Sequence, residues 1–362
     1  MKKKAILISM TAFALAAGSV GCGAGAGGNA GQESAAAEAA GENGTAGTSV
    51  SGEGGSKAAA AQAENDGTES RLVAEAQPVT IEDQAVPLYS KPAGSYVRTP
   101  IASGTVTYEN NLARLDASNM GEGYIMLKYL GSNPKIKVQI TKSGSTTYTY
   151  DLNNSGVYEV FPLSEGSGTY QVKVFENVSG NQYSQAFSQD VSASITNEFG
   201  PFLYPNQYVN FNASSAAVQT GAAVCAGSAD QVAVVADIYN YVITNITYDT
   251  AKAASVQSGY LPNVDVVLAQ KKGICFDYAA LMTAMLRSQD IPTKLVVGYT
   301  GNLYHAWINV YLDGQGWVDN VIYFDGKDWK LMDPTFASSG NQSEEIMKYI
   351  GNGSNYQGKY SY

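Results

Sequence analysis

The sequence predicts an all-β segment followed by an α+β segment, because the spacing of its apolar residues changes midway. Between about Ala102 and Thr196 the runs Gly123–Tyr129, Lys135–Ile140 and Tyr170–Phe175 alternate apolar with polar residues. That period of two marks half-buried strands. Turn signals such as Ser143-Gly144, Asn154-Ser155-Gly156 and Ser179-Gly180-Asn181 punctuate the runs. Short strands at regular spacing fit an antiparallel sandwich of the immunoglobulin-like kind, placed at residues 100–198.

After Phe199-Gly200-Pro201 the period becomes helical. Ser228-Ala229-Asp230-Gln231 reads as a capping box, and Val232, Val235, Ile238, Tyr239 and Val242 follow at helical spacing, so a helix should run to about Thr244. A shorter helix is expected from Asp265 to Gln270, with Gly273 breaking the chain behind it. From Phe276, the residues Tyr278, Ala279, Leu281, Met282, Met285 and Leu286 share one face, describing a buried helix ending near Ser288 with Cys275 in its first turn. Strands are then expected at Lys294–Tyr299, His305–Leu312, Gly316–Val318 and Trp329–Asp333. In the second of these, Ala306, Ile308, Val310 and Leu312 alternate with His305, Trp307, Asn309 and Tyr311, which puts the imidazole opposite the aliphatic set. Residues 199–362 are therefore read as the α+β half.

The amino terminus has its own logic. Met1-Lys2-Lys3-Lys4, an apolar run from Ala5 to Ala17 and the small residues before Cys22 predict a signal peptide over residues 1–22. Small residues followed by Cys22 resemble the lipobox of bacterial lipoproteins, which implies lipidation of that cysteine and an extracytoplasmic, membrane-anchored protein; Ser19 departs from the leucine usual there. Residues 23–75 are rich in Gly, Ala and Ser, with too little apolar surface to offset the entropy of ordering, and are expected to form a tether. The formal charge of -10 argues against nucleic-acid binding. Beyond Cys22 only Cys225 and Cys275 remain. They could bridge each other, but Cys225 lies in a run of small residues and reads as an apolar filler.

The chemistry converges on a few side chains. His305 is the only histidine, which rules out a multi-histidine metal site and makes it the natural proton carrier near neutral pH. A thiol attacks as thiolate, and the unpaired N–H groups at a helix start favour an anion there. Cys275 meets that requirement. A carboxylate bonded to the far nitrogen of the imidazole would fix its tautomer. Asp333, just before Pro334, is the first candidate and Asp319 the second.

Three blocks carry a resemblance to a known family. They are Lys272-Gly273-Ile274-Cys275-Phe276-Asp277-Tyr278-Ala279-Ala280-Leu281, then Val297-Gly298-Tyr299 with His305-Ala306-Trp307-Ile308-Asn309-Val310-Tyr311, then Trp329-Lys330-Leu331-Met332-Asp333-Pro334-Thr335. In this order the chain resembles the transglutaminase-like superfamily of papain-type cysteine enzymes, over roughly residues 228 to 340. The resemblance implies Cys275 as a nucleophile forming a thioester, His305 as general acid and base, and Asp333 as the orienting carboxylate. It also implies an oxyanion hole built from the Cys275 backbone N–H and an upstream side chain, for which Tyr248, Gln257 and Tyr260 are candidates and Gln257 or Tyr260 preferred. Trp307 is a further candidate for substrate contact, although tryptophans in strands are more often core. Asp277, two residues past the nucleophile, reads as a complement to the helix dipole.

These features imply a surface enzyme that attacks a glutamine side-chain amide or a peptide bond and passes the acyl group to an amine or to water. A protein or peptide substrate, cell-wall peptides included, and a membrane contact through Cys22 are the expected partners. No metal or other cofactor is expected, since no acidic calcium loop is seen. Two rival readings are a binding module that keeps the fold with an idle triad, and a passive spacer at the surface.

Overall fold

The computed structural model describes residues 94–319, 323–324, 329–330 and 355–362. The signal segment with Cys22, the tether, and Asp333 lie outside the described residues. Those described belong to one compact unit.

The first half is two four-stranded antiparallel sheets. One runs β1 (Thr107–Glu109), β2 (Ala113–Asp116), β3 (Tyr124–Tyr129), β6 (Glu159–Pro162). The other runs β5 (Thr147–Leu152), β4 (Ile136–Lys142), β7 (Gly168–Ser179), β8 (Gln182–Ala193). Because the chain moves from β3 to β4 and from β5 to β6 between sheets, neither sheet is a simple meander. Alternation in β4 and β7 sends Ile136, Val138, Ile140, Tyr170, Val172 and Val174 into the core, as a half-buried strand requires. In β3 both faces are covered. Ile125, Leu127 and Tyr129 face the core, while Tyr124 packs its ring 4.7 Å from that of Tyr204 in the segment after the sandwich.

The second half surrounds one helix. Its helices are α1 (Ala216–Val224), α2 (Gln231–Asn245), α3 (Thr250–Ser255), α4 (Val264–Gln270) and α5 (Cys275–Arg287). An antiparallel sheet of order β13 (Gly316–Val318), β12 (Leu303–Leu312), β11 (Thr293–Thr300), β16 (Tyr356–Ser361) packs against α5. Two short pairs complete the described part: β9 (Thr247–Tyr248) with β10 (Lys272–Gly273) in parallel, and β14 (Tyr323–Phe324) with β15 (Trp329–Lys330). The architecture is α+β behind a β-sandwich.

The sequence expectation for α5 needs one change. All thirteen of its residues are buried, not one face only. Helices α1, α2 and α4 and strands β11 and β12 enclose it, and a helix covered on every side needs no polar stripe. Helix α1 approaches closely through Gly221, where an added Cβ would stand 3.3 Å from the Met285 Cβ. The start of α2 also differs in detail. Asp230, not Ser228, is the N-cap, accepting from the Ala233 N–H at 2.8 Å. Ser228 is buried and donates its hydroxyl to Asp237 Oδ2 at 2.7 Å. Cys225 and Cys275 form no disulfide, so the bridge between them is not made. Cys225 sits in the core, where burial pushes its thiol up to about 12. No helix among the described residues is long and apolar enough to cross a membrane.

Candidate active site

Cys275 is the first residue of α5 and is buried, with 4 % of its surface exposed. Ile274 before it is extended and lends no side-chain cap. The work of capping falls to Asp277, whose Oδ2 accepts from the Ile274 N–H at 2.9 Å. This satisfies one of the donors left unpaired at a helix start and sets a fixed negative group in the first turn.

Asp277 is 0 % exposed, and a buried carboxylate needs compensation on every side. Lys252 Nζ donates to Oδ2 at 2.6 Å, and Tyr260 Oη donates to Oδ1 at 2.5 Å. Lys252 Nζ also donates to Tyr260 Oη at 2.6 Å, closing a ring of three side chains. Short local steps place Lys252 there. The parallel β9–β10 bridge, in which the Asp249 N–H donates to the Gly273 carbonyl at 2.9 Å, brings the start of α3 beside the start of α5. Asp249 then caps α3 by accepting from the Lys252 N–H at 3.0 Å. Gly273 leaves the space: a Cβ there would come within 2.6 Å of the Asp277 Cβ.

The imidazole comes from β12. His305 is 7 % exposed and lies opposite Gly298 of β11, which in turn lies opposite Gly358 of β16. The row beside the imidazole thus carries no side chains. Ala306, Ile308, Val310 and Leu312 join the core that includes α5, while Trp307 belongs with Val296 and Tyr356 on the other face. His305 shares that face with Trp307, their ring centroids 6.3 Å apart and the planes 23° apart. The Trp307 ring meets Tyr356 edge-on at 5.3 Å, and its indole N–H is buried without a hydrogen-bond partner.

The remaining candidates are placed as follows. Tyr260 reaches Asp277 rather than open solvent. Gln257 is exposed and donates its amide to the Ser255 carbonyl at 2.9 Å. Tyr248 lies in β9, opposite Gly273. Asp319 is exposed and accepts from Asn309 Nδ2 at 2.8 Å. Asn309 stands four residues along the strand from His305, about 13 Å at strand rise. Asp319 is therefore engaged away from the imidazole. Lys252 was not singled out from the sequence. The signal that could have found it is the Asp277 carboxylate itself, since an acid on a buried helix demands a cation from elsewhere. No group of His, Cys, Asp and Glu suited to hold a metal occurs among the described residues.

Residues 218–320 match the family model of the transglutaminase-like superfamily. No curated protein is a significant match. Among solved structures, the periplasmic domain of TgpA from Pseudomonas aeruginosa is similar at 13 % identity, covering 67 % of this chain and 99 % of that one, with a TM-score of 0.30. A putative cysteine protease from Cytophaga hutchinsonii is similar at 13 % identity over 64 % of this chain and 79 % of that one, TM-score 0.28. Red sea bream transglutaminase is similar at 14 % identity over 59 % of this chain and 48 % of that one, TM-score 0.25. The matched stretch holds both Cys275 and His305, and by it this chain carries a transglutaminase-like domain behind a β-sandwich.

Proposed function

We propose that this protein is a cell-surface acyltransferase or hydrolase that attacks glutamine side-chain or peptide amides through a thioester on Cys275. One observation carries the reading: within the stretch matched by the superfamily, a buried thiol opens the central helix, where the unpaired N–H groups of the first turn favour a thiolate. His305 is the general base that takes the thiol proton and the general acid that returns one to the departing amine. Asp333 holds the imidazole. The Cys275 backbone N–H faces the developing oxyanion, and the unpartnered indole N–H of Trp307 is a donor for a substrate carbonyl. Attack forms the carbon–sulfur bond and expels ammonia or an amine. A second amine or water then cleaves the thioester and frees the thiol. The leader and Cys22 support anchoring at the outer face of a bacterial membrane, where cell-wall peptides and surface proteins are within reach.

Mass spectrometry of glutamine-containing peptides incubated with wild type and with Cys275→Ala, with and without a primary amine, tests the reading. Mass gain from the amine, a deamidation shift or cleavage, each absent in Cys275→Ala, supports it. Equal outcomes for the two proteins across such peptides would favour an idle binding module.

A further inference from the structure

Asp277 poses an electrostatic problem for the chemistry proposed above. A buried carboxylate two residues beyond Cys275, in the same helical turn, opposes a negative sulfur. Left alone it would undo what the helix start supplies. We infer that Lys252 is a positioning residue for this site: its ammonium, held by Asp277 and Tyr260, cancels the Asp277 charge at the sulfur while leaving the carboxylate free to cap α5. The inference rests on the catalytic reading of Cys275.

The geometry gives this assignment its force. Lys252 is bonded at 2.6 Å to Asp277 Oδ2, the oxygen that also accepts from the Ile274 N–H next to the nucleophile. The ammonium also lies 4.3 Å from the centre of the Tyr260 ring, so a hydroxyl and a ring face both fix it. With an ammonium and a carboxylate in contact, the pair presents the sulfur with a dipole rather than a charge.

Other charged groups on the elements around α5 are engaged elsewhere or lie on the imidazole side. Helix α1 carries none, Asp237 of α2 accepts from Ser228, and Asp265 of α4 accepts from the Ala217 N–H at 2.9 Å. Lys294 of β11 lies over the Trp317 ring at 3.8 Å, Lys272 of β10 is exposed, and β12 contributes His305. Asp249, on the bridge to α3, is occupied by the Lys252 N–H.

A charge role and a mere bracing role give opposite results in a double-mutant cycle. Iodoacetamide modification of Cys275, followed by peptide mapping across pH on the full-length protein, reads the thiolate without requiring turnover. Lys252→Met should slow modification at pH 7 about tenfold, a shift of about one unit in the thiol titration. Asp277→Asn should leave the thiol as reactive as wild type or more so. Lys252→Met combined with Asp277→Asn, which removes both charges and leaves no unpaired ion, should return the rate towards wild type. Cys225, buried with its thiol pushed up to about 12, is the unreactive internal control. An unchanged Lys252→Met titration, or a double variant as slow as the single one, overturns the inference. Loss of peptide processing is scored separately. A wild type that processes no peptide would defeat the catalytic reading while the cycle still decides the role of Lys252.

Discussion

The two ends of α5 solve the same problem in opposite ways. Each buries a charge of the sign that the helix dipole favours, an acid at the start and a base at the end. At the C-terminal end, Arg287 is buried and spends its donors on backbone carbonyls: Nε and Nη2 on Thr293 at 3.0 and 2.7 Å, Nη1 on Tyr204 at 2.7 Å, and Nη2 also on Tyr362 at 2.7 Å. Burial pulls the guanidinium below its ordinary range, and those carbonyl dipoles hold its cationic form. This end ties together the segment after the sandwich, the start of β11 and the chain end. At the N-terminal end the charge is met by the side chains of Lys252 and Tyr260, and the Cys275 thiol opens the same turn. One end is fastened by backbone; the other is met by side chains and lies beside the candidate site.

That contrast can be broken most sharply at the thiol. Cys275→Ala should abolish acyl transfer to an amine while shifting urea-unfolding stability by no more than about 1 kcal/mol, since a thiol gives up little volume. At the other end the effects reverse. Arg287→Met should cost about 3 kcal/mol or more in urea unfolding, because three backbone carbonyls, two of them in buried bonds, lose charge-assisted donors. Activity per folded molecule should persist.

The Arg287 end also sharpens the comparison through pH. Tyr148, Tyr150 and Tyr362 pack edge-to-face with ring centroids 5.6 to 5.8 Å apart across Tyr362, and burial raises all three phenols above their usual range. The unfolded chain releases these protons first. The stability gained by keeping them neutral is therefore complete below about pH 10 and is lost as pH rises beyond it. Thermal melting from pH 8 to 11 should show Tm falling only at the alkaline end, and Tyr362→Phe should reduce that slope. Smallest is a control remote from both ends: Asp230→Ala, which removes the N-cap of α2, should cost about 1 kcal/mol without changing thiol reactivity.

Much of the fold could be read from the chain because its patterns are local. Period-two alternation located β4 and β7, and helical spacing found α2, α4 and α5 within a residue or two. Helix α1 escaped because Ala216–Val224 is built of small residues that form no apolar stripe, their purpose being close approach to α5. Strand β16 escaped because Tyr356–Ser361 has no alternation of its own. Its place comes from β11, and its Tyr360 ring meets Tyr148 of the sandwich. At the candidate site, the helix that opens with Cys275 and the strand that carries His305 were legible from local pattern. The partner of Asp277 was not, because Lys252 is twenty-five residues upstream and is delivered by a two-residue bridge that leaves no periodic trace.

The account stands or falls on Cys275 and His305 acting as a pair. Dibromoacetone, a short reagent with two reactive carbons, bridges a thiolate to an imidazole only when both reach it together. Peptide mapping after treatment should recover the Cys275 peptide joined to the His305 peptide, with matching loss of activity. Alkylation of Cys275 alone, with His305 unmodified and no bridged peptide at any pH from 6 to 9, would contradict it.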